Sequence, residues 1–210
     1  IKYFNKAYYK EILSFSGWNL FGNIASVMRG QGTNILINVF FGVVANAAYA
    51  ITIMVQSVFL SFSASLQQAI NPQIIKSYAE NNTNRTTELI FIGSKFSFVV
   101  ILLLVMPFFI NLDYILSVWL GEAPKNTKSF IQLILLFVLI ESLSGSLMTG
   151  LQATGRIRAY QSIVGFLVLL NFPLIYICYK YEMVAGTAFI IFNLMAVVAL
   201  YARLVFIKIH

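Results

Sequence analysis

Two ionisable residues lie deep inside apolar sequence, and they carry most of the chemistry this chain could do. Arg29 sits in SVMRGQGTNIL (26–36), and the nearest charges on either side of it are Glu11 and Lys76. Glu141 sits in the middle of another apolar run. A guanidinium is a permanent cation with a planar fork of donors, which matches a phosphate or pyrophosphate. Each residue also has a plainer reading, as half of a buried structural ion pair or as a side chain snorkelling to an interface. A direct salt bridge between Arg29 and Glu141 is open at this point. Ionisable residues inside membrane spans generally face a cavity and mark a transport path.

The neighbours of Arg29 favour a cavity. Asn19, Asn23, Ser26, Gly30, Thr33 and Asn38 recur at helical spacing on one face, flanked by Asn34 and bordered by Arg29. A second stripe runs through Asn46, Ser57, Ser61, Ser65 and Gln68, with Gln56 beside it. A third holds Glu141, Ser142, Ser144, Gly145, Ser146, Thr149, Gly150 and Gln152. Serines and glycines often serve only to let membrane helices pack closely. Amides are different, because an Asn or Gln facing lipid leaves its donors unsatisfied. The expected site is therefore a hydrophilic cavity lined by the first, second and fourth spans. Its candidate substrate-binding residues are Arg29, Asn23, Asn34, Asn38, Asn46, Gln56 and Glu141.

The elements that must position these residues follow from composition. The 210 residues are 60% hydrophobic and 10% charged, with a mean hydropathy of +0.84. Soluble domains carry about 25% charged residues, so the chain reads as an all-α, polytopic membrane protein. Residues 12–28, 30–75, 96–112, 159–179 and 183–202 are uncharged. The run 30–75 is too long for one crossing of about 20 residues, and the Phe41-Gly42 step is the expected break. Six spans are placed at about 12–41, 44–80, 85–112, 126–154, 157–180 and 183–208. Residues 1–11 form a cytoplasmic lead-in, and 12–210 form a six-helix unit. Pro107 and Pro173 fall inside spans and are expected to kink them.

Charge placement orients the unit. With the N-terminus inside, Lys2, Lys6, Lys10, Lys76, Arg85, Lys95, Arg156, Arg158, Arg203 and Lys208 fall on the inner side. Only Lys125, Lys128 and Lys180 fall outside, offset by Asp113, Glu122 and Glu182. The positive-inside rule then puts both termini in the cytoplasm. The two sequons in NNTNRT (81–86) lie on the inner side and read as a polar turn. The basic residues form no patch that suits nucleic acid. The single cysteine, Cys178, excludes an intrachain disulfide and reads as a small apolar packer. Because the sequence starts at Ile1 with no signal peptide ahead of the first span, a missing N-terminal part is expected.

Four segments carry a family resemblance in order: GWNLFGNIASVMRGQGTNILINVFFGVVANAAYAI (17–51), AINPQIIKSYAE (69–80), SVWLGEAP (117–124) and LQATGRIRAYQ (151–161). Together they resemble the polysaccharide-biosynthesis flippases, of the O-antigen and capsule type, in the multidrug/oligosaccharidyl-lipid/polysaccharide exporter superfamily. The resemblance implies one lobe, the C-terminal one, of a twelve-helix MATE-like transporter in the bacterial inner membrane. It implies a substrate carried on undecaprenyl pyrophosphate and moved by alternating access, with Arg29 in the RGQGTN segment holding the pyrophosphate. Other polysaccharide-assembly membrane proteins are expected partners. No cofactor is expected, and coupling to a sodium or proton gradient is an expectation from the superfamily only. The closest rival is an ion-coupled multidrug exporter of the same superfamily. An integral membrane polymerase or acyltransferase is a weaker one, since no paired-carboxylate, His-Asp or metal-ligand constellation is present. GQG (30–32) follows no strand and is no nucleotide loop.

Overall fold

The computed structural model describes residues 6–155 and 158–209. Every element in it is helical: α1 (Lys6–Ala79), α2 (Thr83–Ile110), α3 (Leu112–Leu120), α4 (Thr127–Ala153), α5 (Arg158–Lys180) and α6 (Thr187–Ile209). All but α3 are long and apolar enough to cross a membrane. The chain is thus a multi-pass membrane protein.

The 74 residues of α1 would stretch about 111 Å if straight, against a hydrocarbon core of about 30 Å. It is not straight. Gly42 has φ 78° and ψ −174°, a backbone conformation essentially restricted to glycine, and it divides α1 into arms 6–41 and 43–79. The Tyr49 hydroxyl donates to the Gly30 carbonyl at 2.9 Å. Nineteen residues span about 28 Å along a straight helix, so the arms must fold back on each other. The break expected at Phe41-Gly42 is where the chain turns, and the two arms supply the first two of six spans.

The other boundaries lie within a few residues of those expected. The segment 81–86, expected as a polar turn, is a short turn through Asn82 followed by the first turn of α2: Asn81 adopts φ 56°, and the Asn82 side chain caps α2 by accepting from the Arg85 N–H at 3.1 Å. Helices α2 and α5 continue through Pro107 and Pro173. Between the spans expected at about 85–112 and 126–154, the chain forms the short helix α3. Leu112 and Leu116 of α3 are buried against Val55, Phe59, Ile101 and Val105, which gives the segment an apolar face to fold on. On its exposed side Asp113 meets Lys128 at 2.6 Å, a solvated pair worth little.

Helix α4 is the most buried span and packs against α1, α2 and α6. Its first half joins an aromatic core of Tyr49, Phe130, Phe137, Phe189 and Phe192, near the Gly42 turn. In lipid such a core is held by close van der Waals packing, because leaving lipid for a neighbouring helix releases no water. Smaller apolar clusters around Leu151, Tyr160 and Ala199, and around Ile74, Ile90 and Leu147, tie the opposite end together. A polar recess lies between the two ends.

Candidate functional site

The recess is a cavity of about 130 Å³ walled by the first arm of α1 and by α4, α5 and α6. That volume holds several waters, or a group the size of a phosphate. Its polar walls carry Asn23, Ser26 and Arg29 from α1, Glu141 from α4, Tyr160, Gln161 and Asn171 from α5, and Arg203 from α6. The Gln161 amide lies where a Cβ at Gly22 would be, 1.9 Å away, so a side chain there would push that amide out of its place on the cavity wall.

Arg29 and Glu141, far apart in sequence, both line this cavity but do not bond each other. The Arg29 guanidinium carbon lies 5.1 Å from the Phe137 ring centroid and 5.5 Å from that of Phe192. These two buried aromatic faces give the cation a cation–π environment. Among the described residues no carboxylate forms an ion pair with Arg29.

Glu141 instead faces Arg203. Arg203 Nη1 and Nη2 reach the two carboxylate oxygens at 3.4 and 3.5 Å, a forked but long contact. Arg203 also donates from Nη1 to the Ser144 hydroxyl, and from Nε to the Tyr160 hydroxyl at 3.4 Å. Its side chain is 6% exposed and that of Glu141 is 28%. Arg203 was counted above only as an inner-side charge, with no partner foreseen. It stands in the last third of α6, turned into the bundle and paired. The signal was available: α6 continues past it, and an arginine there must find a partner or water.

Asn171 is a second residue that the sequence reading passed over. It is 1% exposed, and its Nδ2 donates to the carbonyls of Leu167 and Val168 at 3.2 and 2.9 Å. Its Oδ1 has no protein partner and belongs to the cavity wall. A buried acceptor left open in this way suits a water or a ligand donor.

The cavity does not have the composition expected. The second stripe contributes nothing to its walls. Ser57, Ser61 and Ser65 are exposed, and each hydroxyl donates back to a carbonyl of its own helix, at 2.7 to 2.9 Å. They line a separate shallow groove with Val58 and Phe62. The physical reason is the fold-back at Gly42, which turns the 43–79 arm so that this face points away from the α1–α5 seam. Of the expected site residues, Arg29, Asn23 and Glu141 come together. Asn34 and Asn38, on the turnward part of the first arm, are not among the lining residues, and neither are Asn46 and Gln56. Asn46 is half-buried with an unpartnered Oδ1.

Neither the curated proteins nor the solved structures contain a match to this chain. The family model described as MatE matches residues 19–177, most of the length and all but the last wall of the cavity. A helical, multi-pass bundle with charged and amide side chains drawn into one recess is a transporter's construction, and the chain belongs to the MatE family.

Proposed function

We propose that this chain is part of a flippase that carries a lipid-linked anion across the membrane, its headgroup phosphate held by Arg29. The observation that carries the reading is Arg29 itself: a guanidinium on a cavity wall, backed by two aromatic rings and paired with no acid. A cation kept in low dielectric and bonded directly to no carboxylate among the described residues offers a strong, forked contact to phosphate oxygens. The cavity takes a phosphate-sized group but not an oligosaccharide. The sugars and the lipid would therefore lie beyond it, in space shared with a second six-helix lobe and with the bilayer. The undecaprenyl pyrophosphate carrier, the bacterial inner membrane and an ion gradient as energy source come from the flippase resemblance. On the proposed topology the cavity occupies the cytoplasmic half of the bundle, because its α1 residues precede the outer turn at Gly42. Loading would then occur from the cytoplasm, and rocking of the lobes would present the headgroup outside.

A multidrug exporter for amphipathic cations is the second reading, and the family serves it equally well. Glu141 favours it, being a partly exposed carboxylate in the same cavity. Against it stands Arg203, which already occupies that carboxylate.

Surface-polysaccharide export in cells whose protein carries Arg29→Ala or Arg29→Lys separates the two. The flippase reading expects export to fail in the Ala variant at normal protein level, lipid-linked precursor to accumulate, and Lys to restore part of the flux. Normal export by a stable Arg29→Ala protein would overturn it.

A further inference from the structure

Three charges share one cavity, and their pairing is unequal: Arg203 holds Glu141, and among the described residues no acid is paired with Arg29. We propose that Arg203 sets the cavity's preference for anions by occupying Glu141 and so keeping it off Arg29. The inference rests on the reading of Arg29 as the anion contact and names what keeps that contact available.

The geometry makes Glu141 a built-in competitor. Phe137, whose ring lies against the Arg29 guanidinium, precedes Glu141 by four residues on α4, so the two share one helix face. A carboxylate on that face, without another partner, would neutralise the nearest cation in a recess of low dielectric. Arg203 prevents this from a position fixed independently of Glu141. Its guanidinium is braced by Ser144 on α4 and Tyr160 on α5. Arg203 is buried whereas Arg29 is half-buried, so an entering anion meets Arg29 first. Arg203 is thus a positioning residue. The long, 3.4–3.5 Å contact fits a carboxylate restrained by charge and not tightly clamped.

The sum of charges decides the outcome. The cavity carries a net charge of +1 as built, from Arg29, Arg203 and Glu141. Arg203→Gln brings it to zero and frees Glu141 to bond Arg29. Glu141→Gln raises it by one, and the double variant restores the original sum with Arg29 as its source. A structural ion pair predicts something else, namely that each single change lowers stability and binding together.

The test uses the protein as cells make it, in lipid nanodiscs, with inorganic pyrophosphate titrated by calorimetry and thermal unfolding followed in parallel. Arg203→Gln should bind pyrophosphate about tenfold more weakly, the scale of one unit charge nearby at an intermediate dielectric. Glu141→Gln should bind it about tenfold more tightly while unfolding at lower temperature, because Arg203 is left buried without its counterion. The double variant should return to the wild-type affinity. Unchanged affinity in Arg203→Gln, or affinity falling along with stability in Glu141→Gln, overturns the proposal. If Arg203→Gln does not fold, Arg203→Met, which suits the apolar wall around it and equally leaves Glu141 unpaired, takes its place under the same expectation: weaker binding supports the proposal and unchanged affinity overturns it. Arg29→Ala separates the two levels. If that variant binds pyrophosphate like wild type, the anion reading itself fails. A clear loss there, with a flat response at Arg203, sinks only the role of Arg203.

Discussion

Arg29 shows how a membrane protein can keep a cation available. Phe137 and Phe192 supply a favourable surface for the guanidinium without neutralising it, as a carboxylate would. The contact should be measurable. A double-mutant cycle between Arg29→Met and Phe137→Leu, read from unfolding in detergent, is expected to give a coupling of about 1 kcal/mol. Coupling near zero would mean that the ring merely fills space. At this scale the sequence spoke unevenly. Arg29 and Glu141 stood out because nothing charged surrounds them. Arg203 was hidden by its place late in the last span, where an arginine ordinarily reaches water. Asn171 was hidden because amides were sought beside the charges, in the first, second and fourth spans. The fifth brings its amide into the cavity only after folding.

Among the elements, the turn at Gly42 determines what the two arms of α1 can do. No heavy atom lies within 4 Å of where a Cβ would be, so the demand on this residue is torsional and not steric. Gly42→Ala should destabilise the protein by about 1–3 kcal/mol, the usual cost of forcing a side chain into such a conformation. Thermal unfolding in detergent checks this, and an unchanged midpoint would mean the turn relaxes freely. The same turn carries the serine stripe of the 43–79 arm away from the cavity. The glycine break was legible, because a run of uncharged residues from 30 to 75 must turn somewhere and one residue type does so without strain. Which way the second arm would face was not legible, since the stripe has the same spacing on either side of a hairpin. Helix α3 was missed for a related reason. It is only nine residues long, and its helical form depends on burying Leu112 and Leu116 against the second arm and α2.

At the scale of the whole molecule, the arrangement is a bundle centred on α4, closed by aromatic packing at the Gly42 end and polar toward the other. Its orientation in the membrane can be read directly. In a Cys178→Ala background, single cysteines replacing Asn84, at the exposed start of α2, and Glu122, in the exposed turn after α3, report on the two sides. A membrane-impermeant maleimide added to intact cells should label the Glu122→Cys protein and spare the Asn84→Cys protein until the membrane is permeabilised. The reverse pattern would place the cavity in the outer half of the bilayer and remove cytoplasmic loading from the proposed mechanism.

The sequence by itself determined the all-helical membrane class, the approximate limits of six spans, the glycine turn and the two most isolated charges. These follow from local requirements: apolar length, backbone conformation and the cost of a bare charge in lipid. The tertiary structure decided which side chains meet. It paired Glu141 with Arg203, set Arg29 on Phe137 and Phe192, and built the cavity from α1, α4, α5 and α6. Those outcomes depend on how each helix rotates about its own axis against its neighbours. Side-chain packing across several helices sets that rotation, and no stretch of one helix encodes it alone.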